Sequence, residues 1–223
     1  ATPAGVLLGL GLSGAEDEAW RDAFIAGLAR ALAHFGVELW GGDTVSGLGQ
    51  AVLGLTAIGW VQPGRALGRM GAQPGDALWV SGTIGDAGLG LAVARGDAPF
   101  DKPLLNRFRR PIPRLALGAV LGGNATAGMD VSDGLLIDAD RLAAASGVAL
   151  HIDLAAVPLS RPAAGPEDVL ARATAGDDYE LLFAVPADVD VAALAAASKT
   201  PVARIGTVAA GFGLELTYAG QPV

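Results

Sequence analysis

Apolar residues in the first sixty positions form strand-length runs and one stripe at helical spacing. Residues 5–12 are a short apolar run typical of a buried strand, and residues 37–40 and 50–61 predict two further strands. A helix is predicted to begin at Ser13, which has the capping-box spacing to Glu16, and to end at Gly36. Its predicted buried face consists of Trp20, Phe24, Leu28, Leu32 and Phe35.

Further along the chain, short apolar runs and helical stripes follow one another in no fixed alternation. Strands are predicted at residues 77–81, 127–131, 149–154, 179–185 and 202–208. Helices are predicted at residues 87–95, 103–121 with interruptions at Pro111 and Pro113, 133–146 and 189–198. This mixed order favours an α+β fold over a doubly wound parallel sheet.

A turn-rich segment separates the two parts of the chain. Glycine, proline and polar residues dominate residues 62–65 and 71–76, where apolar residues are few. We therefore predict an N-terminal domain at residues 1–62, a linker at 63–75 and a C-terminal α+β domain at 76–223.

Composition narrows the classes of function. Of the 223 residues 52% are hydrophobic, which excludes a fully disordered chain. The absence of cysteine removes thiolate nucleophiles and sulfur-ligated zinc, and two histidines, His34 and His151, are too few for a histidine cluster. The net charge of −8 argues against nucleic acid or an anionic membrane as the main partner. No export signal or membrane-length apolar run is visible.

Candidate chemistry lies in three acidic segments, each predicted to be a turn at the end of a strand or the start of a helix. Carboxylates converging from separate loops suit Mg²⁺ that shares its ligand shell with phosphate oxygens, a chemistry that needs no protein nucleophile. The segments are Gly41-Gly42-Asp43-Thr44, Asp130-Val131-Ser132-Asp133-Gly134 and Gly176-Asp177-Asp178-Tyr179-Glu180.

Each acidic segment taken alone also has a structural interpretation. Asp43 would serve in an Asx-turn and Asp133 as a helix N-cap, and Asp177 and Asp178 would cap or solvate a loop. The glycine-rich turn at residues 82–85 suits a phosphate at a helix N-terminus, but a tight strand-to-helix turn needs the same residues. The basic residues at 107–110 are predicted to form a solvated face. Without a Gly-x-x-x-x-Gly-Lys-Ser/Thr loop, an ordinary P-loop kinase is excluded.

Together, the ordered motifs resemble the thiamine-monophosphate kinase family, in the superfamily of aminoimidazole ribonucleotide synthetase and selenophosphate synthetase. The resemblance covers nearly the whole chain and implies a two-domain mixed-sheet α+β fold with an incomplete N-terminal domain. The residues that carry it are the three acidic segments with their continuations, Gly64-Arg65-Ala66-Leu67-Gly68-Arg69, Ile152-Asp153-Leu154 and Ile205-Gly206.

The resemblance implies ATP-dependent phosphorylation of thiamine monophosphate to thiamine diphosphate, by direct in-line transfer with several Mg²⁺ ions. By motif, Asp43, Asp130 and Asp133 correspond to metal ligands. Asp177 stands where the family commonly has a glutamate that contacts the thiamine part of the substrate. The implied nucleotide contacts are Gly42, Asp43, Arg69 and Ser132.

The resemblance also implies a cytoplasmic homodimer that pairs through its N-terminal domains. The family has a segment ahead of Ala1, with further aspartate ligands and part of the ATP site, and a substrate-packing aromatic residue beyond Val223. We therefore expect little or no kinase activity from this chain alone. Two alternatives stay open: a related ATP-dependent synthetase, and a nucleotide-binding module without turnover.

Overall fold

A computed structural model describes all 223 residues, which form two compact units, Ala1–Pro63 and Gly64–Val223. The first unit is a three-stranded sheet with one helix. Strand β1 lies at its centre, parallel to β2 and antiparallel to β3. The elements of this unit are β1 (Thr2–Leu12), α1 (Glu18–Phe35), β2 (Glu38–Ser46) and β3 (Val52–Trp60).

Helix α1 begins later than the capping-box spacing predicted. The Glu16 carboxylate accepts the Ser13 amide at 2.8 Å, but this contact closes a turn ahead of the helix. The N-cap is Asp17, which accepts the Trp20 amide at 2.8 Å. The predicted end is correct, because Gly36 closes the helix in the left-handed conformation with φ of 61°.

The predicted buried face of α1 is right in direction but wrong in burial. Phe24, Leu28 and Leu32 are half-buried, whereas Trp20 and Phe35 are exposed and no residue of the helix is fully buried. A three-stranded sheet and one helix offer too little surface to enclose the apolar stripe of this 18-residue helix within the unit.

The second unit is built around a seven-stranded sheet in the order β10-β9-β6-β8-β4-β7-β5, in which only β6 and β9 pair in parallel. Its strands are β4 (Ala77–Ser81), β5 (Ala127–Val131), β6 (Ala149–Asp153), β7 (Glu180–Val185), β8 (Val202–Ala209), β9 (Gly213–Tyr218) and β10 (Gln221–Pro222). Its helices are α2 (Asp86–Arg95), α3 (Lys102–Arg109), α4 (Leu115–Leu121), α5 (Leu135–Ser146), α6 (Pro166–Ala173) and α7 (Val191–Ser198), with a 3₁₀ turn at Leu154–Ala156. The α+β class predicted from the element order is confirmed.

Helices cover both faces of this sheet. Because successive side chains of a strand point to opposite faces, Leu78 and Val80 of β4 pack into one apolar cluster with residues of α5 and α6. Ala77 and Trp79 pack into a second cluster with residues of α4 and α7. None of the helices in the chain combines the length and apolar character that a membrane span requires.

The segment predicted as a linker lies against the second unit. The Arg65 guanidinium donates to the Gly122 carbonyl at 2.8 Å, the Gly68 carbonyl accepts the Gly128 amide at 2.8 Å, and Ala72 is buried in the core. Residues 64–75 are therefore ordered parts of that unit. The division at 1–62, 63–75 and 76–223 stays a prediction about domains.

Candidate functional site

The second and third acidic segments meet at one edge of the large sheet. Strands β5 and β7 are neighbours, so the loop after β5 (residues 131–134) lies beside the loop before β7 (residues 174–179). The Asp177 amide donates to the Ser132 carbonyl and the Tyr179 amide to the Val131 carbonyl, both at 2.8 Å. Two loops far apart in the sequence are thus joined by their backbones.

Glycine is required where these loops touch. A Cβ at Gly134 would lie 2.8 Å from the Thr174 carbonyl oxygen, and one at Gly176 would lie 2.7 Å from the Ser132 carbonyl oxygen. Both distances are shorter than real Cβ atoms tolerate. These two glycines are therefore explained by the packing of one loop on the other.

Three predicted site carboxylates act electrostatically on the phenol of Tyr179. Burial raises the pKa of Tyr179, and the negative charges of Asp177, Asp130 and Asp133 raise it further. Asp130 and Asp133 are exposed, and the Asp133 side chain keeps 56% of its accessible surface. The structure therefore brings Asp130, Asp133 and Asp177 to the same open edge of the large sheet, which we call the acidic rim.

Asp133 is not the helix N-cap that its position suggested. Helix α5 follows Gly134, and the Asp133 carboxylate pairs with the Arg141 guanidinium. The buried carboxylate of Asp138 instead accepts the Ser132 and Asp133 amides, each at 2.9 Å. The structural interpretation of Asp133 is therefore wrong, and Asp138, which the sequence analysis missed, holds the loop. The sequence feature that indicates this role is an aspartate in the first turn of the predicted helix, on its otherwise apolar face.

Asp178, next to Asp177, points into the protein and is 1% exposed. Its two carboxylate oxygens accept the Gly85 amide at 2.6 Å and the Ala87 amide at 3.1 Å, where α2 begins. The glycine-rich turn at residues 82–85 therefore receives a carboxylate of the same chain. The alternative of a phosphate at this helix N-terminus is wrong, because Asp178 already accepts these amides.

Glu180 is fully buried and holds two arginines. Arg114 donates two hydrogen bonds to its carboxylate at 2.7 and 2.6 Å, Arg107 donates one at 2.9 Å, and Ser81 donates one at 2.5 Å. Burial alone would raise the pKa of Glu180, but the bonds from Arg114 and Ser81 hold it below its usual value. The predicted solvated face at residues 107–110 is wrong for Arg107, which turns inward, and correct for Arg109 and Arg110.

Asp178 makes the stability of the second unit depend on pH. Burial raises its pKa to about 6, above the usual value for an aspartate, so folding favours the protonated form. The contribution of protonated Asp178 to the free energy of unfolding is fully present below about pH 4 and is lost as pH rises to about 6. We expect denaturant titrations to show a loss of up to about 3 kcal/mol across that window that Asp178→Asn abolishes.

Asp190, the exposed N-cap of α7, provides the matched control for this pH dependence. Its carboxylate accepts the Ala193 amide at 3.0 Å, so Asp190→Asn makes the same chemical change at a solvated helix end. We expect Asp190→Asn to keep the wild-type pH slope. Equal slopes in wild type and Asp178→Asn would contradict the raised pKa.

Gly42 and Asp43 lie inside strand β2, so the prediction of a turn at residues 41–44 is wrong. A Cβ at Gly42 would lie 1.9 Å from the Leu8 carbonyl oxygen, and glycine therefore lets β2 continue beside β1. Asp43 is exposed, opposite Gly9, and its carboxylate accepts the Thr44 amide at 2.8 Å. Their roles as nucleotide and metal contacts stay predictions.

Arg69 is separated from the acidic rim of the second unit. Its carbonyl accepts the Ser146 hydroxyl at 3.1 Å, at the C-terminal end of α5. Ser132 and Asp133 lie near the opposite end of this 12-residue helix, roughly 18 Å away along its axis. The structure therefore does not bring the Arg69 backbone together with Ser132, and the nucleotide contact of Arg69 stays a prediction.

The acidic rim is not a complete metal cage. No group of three or more histidine or acidic side chains is arranged to hold a metal ion by itself. Asp130 and Asp133 nevertheless offer exposed carboxylate oxygens from one short loop. Such a pair suits Mg²⁺, which keeps several waters and takes other ligands from substrate phosphates.

Comparison with known proteins covers both units. Residues 1–61 match the N-terminal domain and residues 73–219 the C-terminal domain of AIR synthase related proteins. Thiamine-monophosphate kinase from Caulobacter vibrioides is 41% identical over an alignment of 234 positions. The alignment covers all of this chain and 66% of that protein, so the chain spans just under two thirds of the length of this relative.

Solved structures show the same likeness. Thiamine-monophosphate kinase from Stenotrophomonas maltophilia K279a superposes with a TM-score of 0.87 at 39% identity, covering all of this chain and 74% of that one. AaThiL complexed with AMPPCP and TMP superposes with a TM-score of 0.79 at 28% identity, covering 99% of this chain and 71% of that one.

Proposed function

The chain belongs to the AIR synthase related proteins, among the thiamine-monophosphate kinases, and from this premise we propose that the protein phosphorylates thiamine monophosphate with ATP. The product is thiamine diphosphate. The predicted α+β fold of this family is confirmed by the superposition on a solved relative. A relative in complex with AMPPCP, an ATP analogue, and TMP supports the two proposed substrates.

The observation that carries the proposal is the joining, by backbone hydrogen bonds at one sheet edge, of the two segments that bear Asp130, Asp133 and Asp177. Asp130 and Asp133 are the residues that would hold Mg²⁺ together with substrate phosphates. Asp177 extends the same negative rim and suits the positively charged ring of thiamine. Its side chain is one methylene shorter than the glutamate common at this position in the family.

The residues around the rim orient the reacting groups. Asp138 holds the Ser132 and Asp133 amides, and Arg141 directs the Asp133 carboxylate. Bound Mg²⁺ would neutralise charge on the transferring phosphoryl group. An oxygen of the thiamine monophosphate phosphate forms the new bond to the γ-phosphorus of ATP, the bond to the β,γ-bridging oxygen breaks, and ADP leaves.

Three further properties belong to the same proposal. The metal is Mg²⁺, in several ions, and Asp43 of the first unit is also a carboxylate ligand of Mg²⁺. Gly42, Arg69 and Ser132 contact the nucleotide, together with Asp43. The protein is cytoplasmic and forms a homodimer. The dimer is supported by the many large apolar side chains exposed in the first unit, such as Leu55 and Trp60.

The test is product formation by the full-length protein that carries this sequence. We expect ADP and thiamine diphosphate to appear in equal amounts, and only when Mg²⁺, ATP and thiamine monophosphate are all present. Unphosphorylated thiamine is the matched control, because it lacks the accepting phosphate. Calorimetric binding of AMPPCP and Mg²⁺ without any thiamine diphosphate would instead identify a nucleotide-binding module and contradict the kinase proposal.

A further inference from the structure

The segment 177–180 presents alternate side chains to opposite sides. Tyr179 is 40% exposed and lies beside the Asp177 carboxylate, whereas Asp178 and Glu180 are 1% and 0% exposed. Asp177 and Tyr179 also adopt positive φ angles of 69° and 51°, a region that residues other than glycine rarely occupy. Such a backbone persists only where the surrounding structure imposes it.

Asp178 fixes this backbone conformation from one side. Both of its carboxylate oxygens are occupied by amides at the start of α2, those of Gly85 and Ala87. Gly85 is itself closely packed, since a Cβ there would lie 2.4 Å from the Arg172 Cβ. The carboxylate therefore binds the loop to a part of the fold that has little freedom to move.

Glu180 fixes the backbone conformation of the segment from the other side, at the start of β7. Its carboxylate joins Arg114 and Arg107 to Ser81 of β4, and the Ser81 hydroxyl in turn accepts the Leu181 amide at 2.9 Å. A Cβ at Gly82 would lie 2.1 Å from this carboxylate. The glutamate therefore has one available position, set by two arginines and two strands.

Stability alone does not explain these buried charges. Well-packed apolar residues in place of a buried ion pair are often neutral or stabilising. Asp178 in particular carries a burial cost, which its raised pKa reports. Asp178 and Glu180 alternate with the half-buried Asp177 and the exposed Tyr179, which both have positive φ. The two buried carboxylates are therefore better explained by what they hold in place.

We propose that Asp178 and Glu180 are positioning residues, which hold Asp177 and Tyr179 in the orientation that receives the thiamine part of the substrate. This role rests on the proposed kinase function. Neither residue touches the substrate, since each is turned away from the acidic rim and occupied by its own partners. Because the thiamine contact is made in both ground and transition states, its loss raises KM more than it lowers kcat.

Asp178→Asn in the full-length protein tests the proposal directly at pH 7.5. An asparagine has one acceptor oxygen for two amides, so one of the amides of Gly85 and Ala87 loses its partner. We expect hydrogen exchange at the Asp177 and Tyr179 amides to become about tenfold faster or more. We expect KM for thiamine monophosphate to rise by about tenfold or more, with kcat changed by less than about threefold.

Two further variants complete the design. Arg114→Lys keeps the charge beside Glu180 but removes the bidentate contact. We expect amide exchange to become faster and KM to rise, both by smaller factors than in Asp178→Asn. Asp190→Asn is the matched control, at an exposed helix N-cap outside the loop, and we expect wild-type exchange and kinetics.

The outcomes separate the proposal from the function on which it rests. Unchanged exchange at the Asp177 and Tyr179 amides in Asp178→Asn would overturn the positioning role, whatever the activity. Faster exchange with unchanged KM, or with a loss confined to kcat, would overturn the link to the thiamine part. Full-length wild-type protein that makes no thiamine diphosphate would refute the kinase proposal and this substrate link with it. The exchange data would still decide whether Asp178 holds the loop.

Discussion

In the full-length protein, Asp130→Asn is expected to lower the turnover of thiamine monophosphate by about two orders of magnitude or more, without a change in the fold. Asp130 stands at the end of β5 with an exposed side chain, so the substitution removes charge and no buried contact. The proposed metal ligand loses its negative charge while its size is kept. Steady-state kinetics with varied Mg²⁺ and thermal unfolding of the same samples provide the measurement.

Asp140→Asn provides the matched comparison for Asp130. Asp140 is an exposed aspartate of the adjacent helix α5, and the same change of charge is made there. We expect its turnover to equal that of wild type. Wild-type turnover of Asp130→Asn with Mg²⁺ would contradict the assignment of Asp130 as a metal ligand, and a large fall in melting temperature would contradict its purely local effect.

Glu180→Gln lowers the free energy of unfolding of the second unit by about 3–5 kcal/mol, a range typical of buried ion pairs that lose one partner. The substitution keeps the size of the side chain but removes the only counter-charge of Arg114. It leaves Arg107 with the longer contact to Asp86, at 3.9 Å. The side chains of Arg107 and Arg114 are 18% and 16% exposed, so water replaces little of the lost interaction. Urea titration followed by circular dichroism measures the change.

Glu215→Gln is the control for this stability change. Glu215 pairs with His151 at 3.1 Å, but its side chain is 71% exposed, and exposed pairs contribute little. We expect a denaturation midpoint equal to that of wild type. A loss of less than about 1 kcal/mol in Glu180→Gln would show that the two arginines find other partners or water, and would contradict the role given to this buried cluster.

Several elements of the second unit could be predicted to the residue from the chain. Strands β4 and β5 have the predicted bounds, because each is a short run that is mostly apolar and mostly buried in the sheet. Helix α6 and strand β9 were missed. Helix α6 is eight residues long and begins at a proline, and β9 mixes apolar and polar residues in a half-buried strand, so neither has a strong periodic signal.

The acidic segments of the candidate site could be picked out from the sequence, but their geometry could not. The acidic segments at residues 130–134 and 176–180 pointed to carboxylate chemistry, and the structure brings them together through the pairing of β5 and β7. The segment at residues 41–44 was misread as a turn. Paired glycines predict turns in general, but here they allow a close approach to β1, which depends on a partner strand thirty residues away.

Local patterns therefore sufficed for most strands, for the fold class and for the kind of chemistry, because these depend on residue type and spacing along the chain. The direction of each charged side chain depended on packing between distant elements. Asp177 and Asp178 are adjacent and chemically identical, yet one faces the rim and the other is buried against α2. That difference arises from a backbone held at positive φ by contacts with β5 and α2, which no sequence window contains.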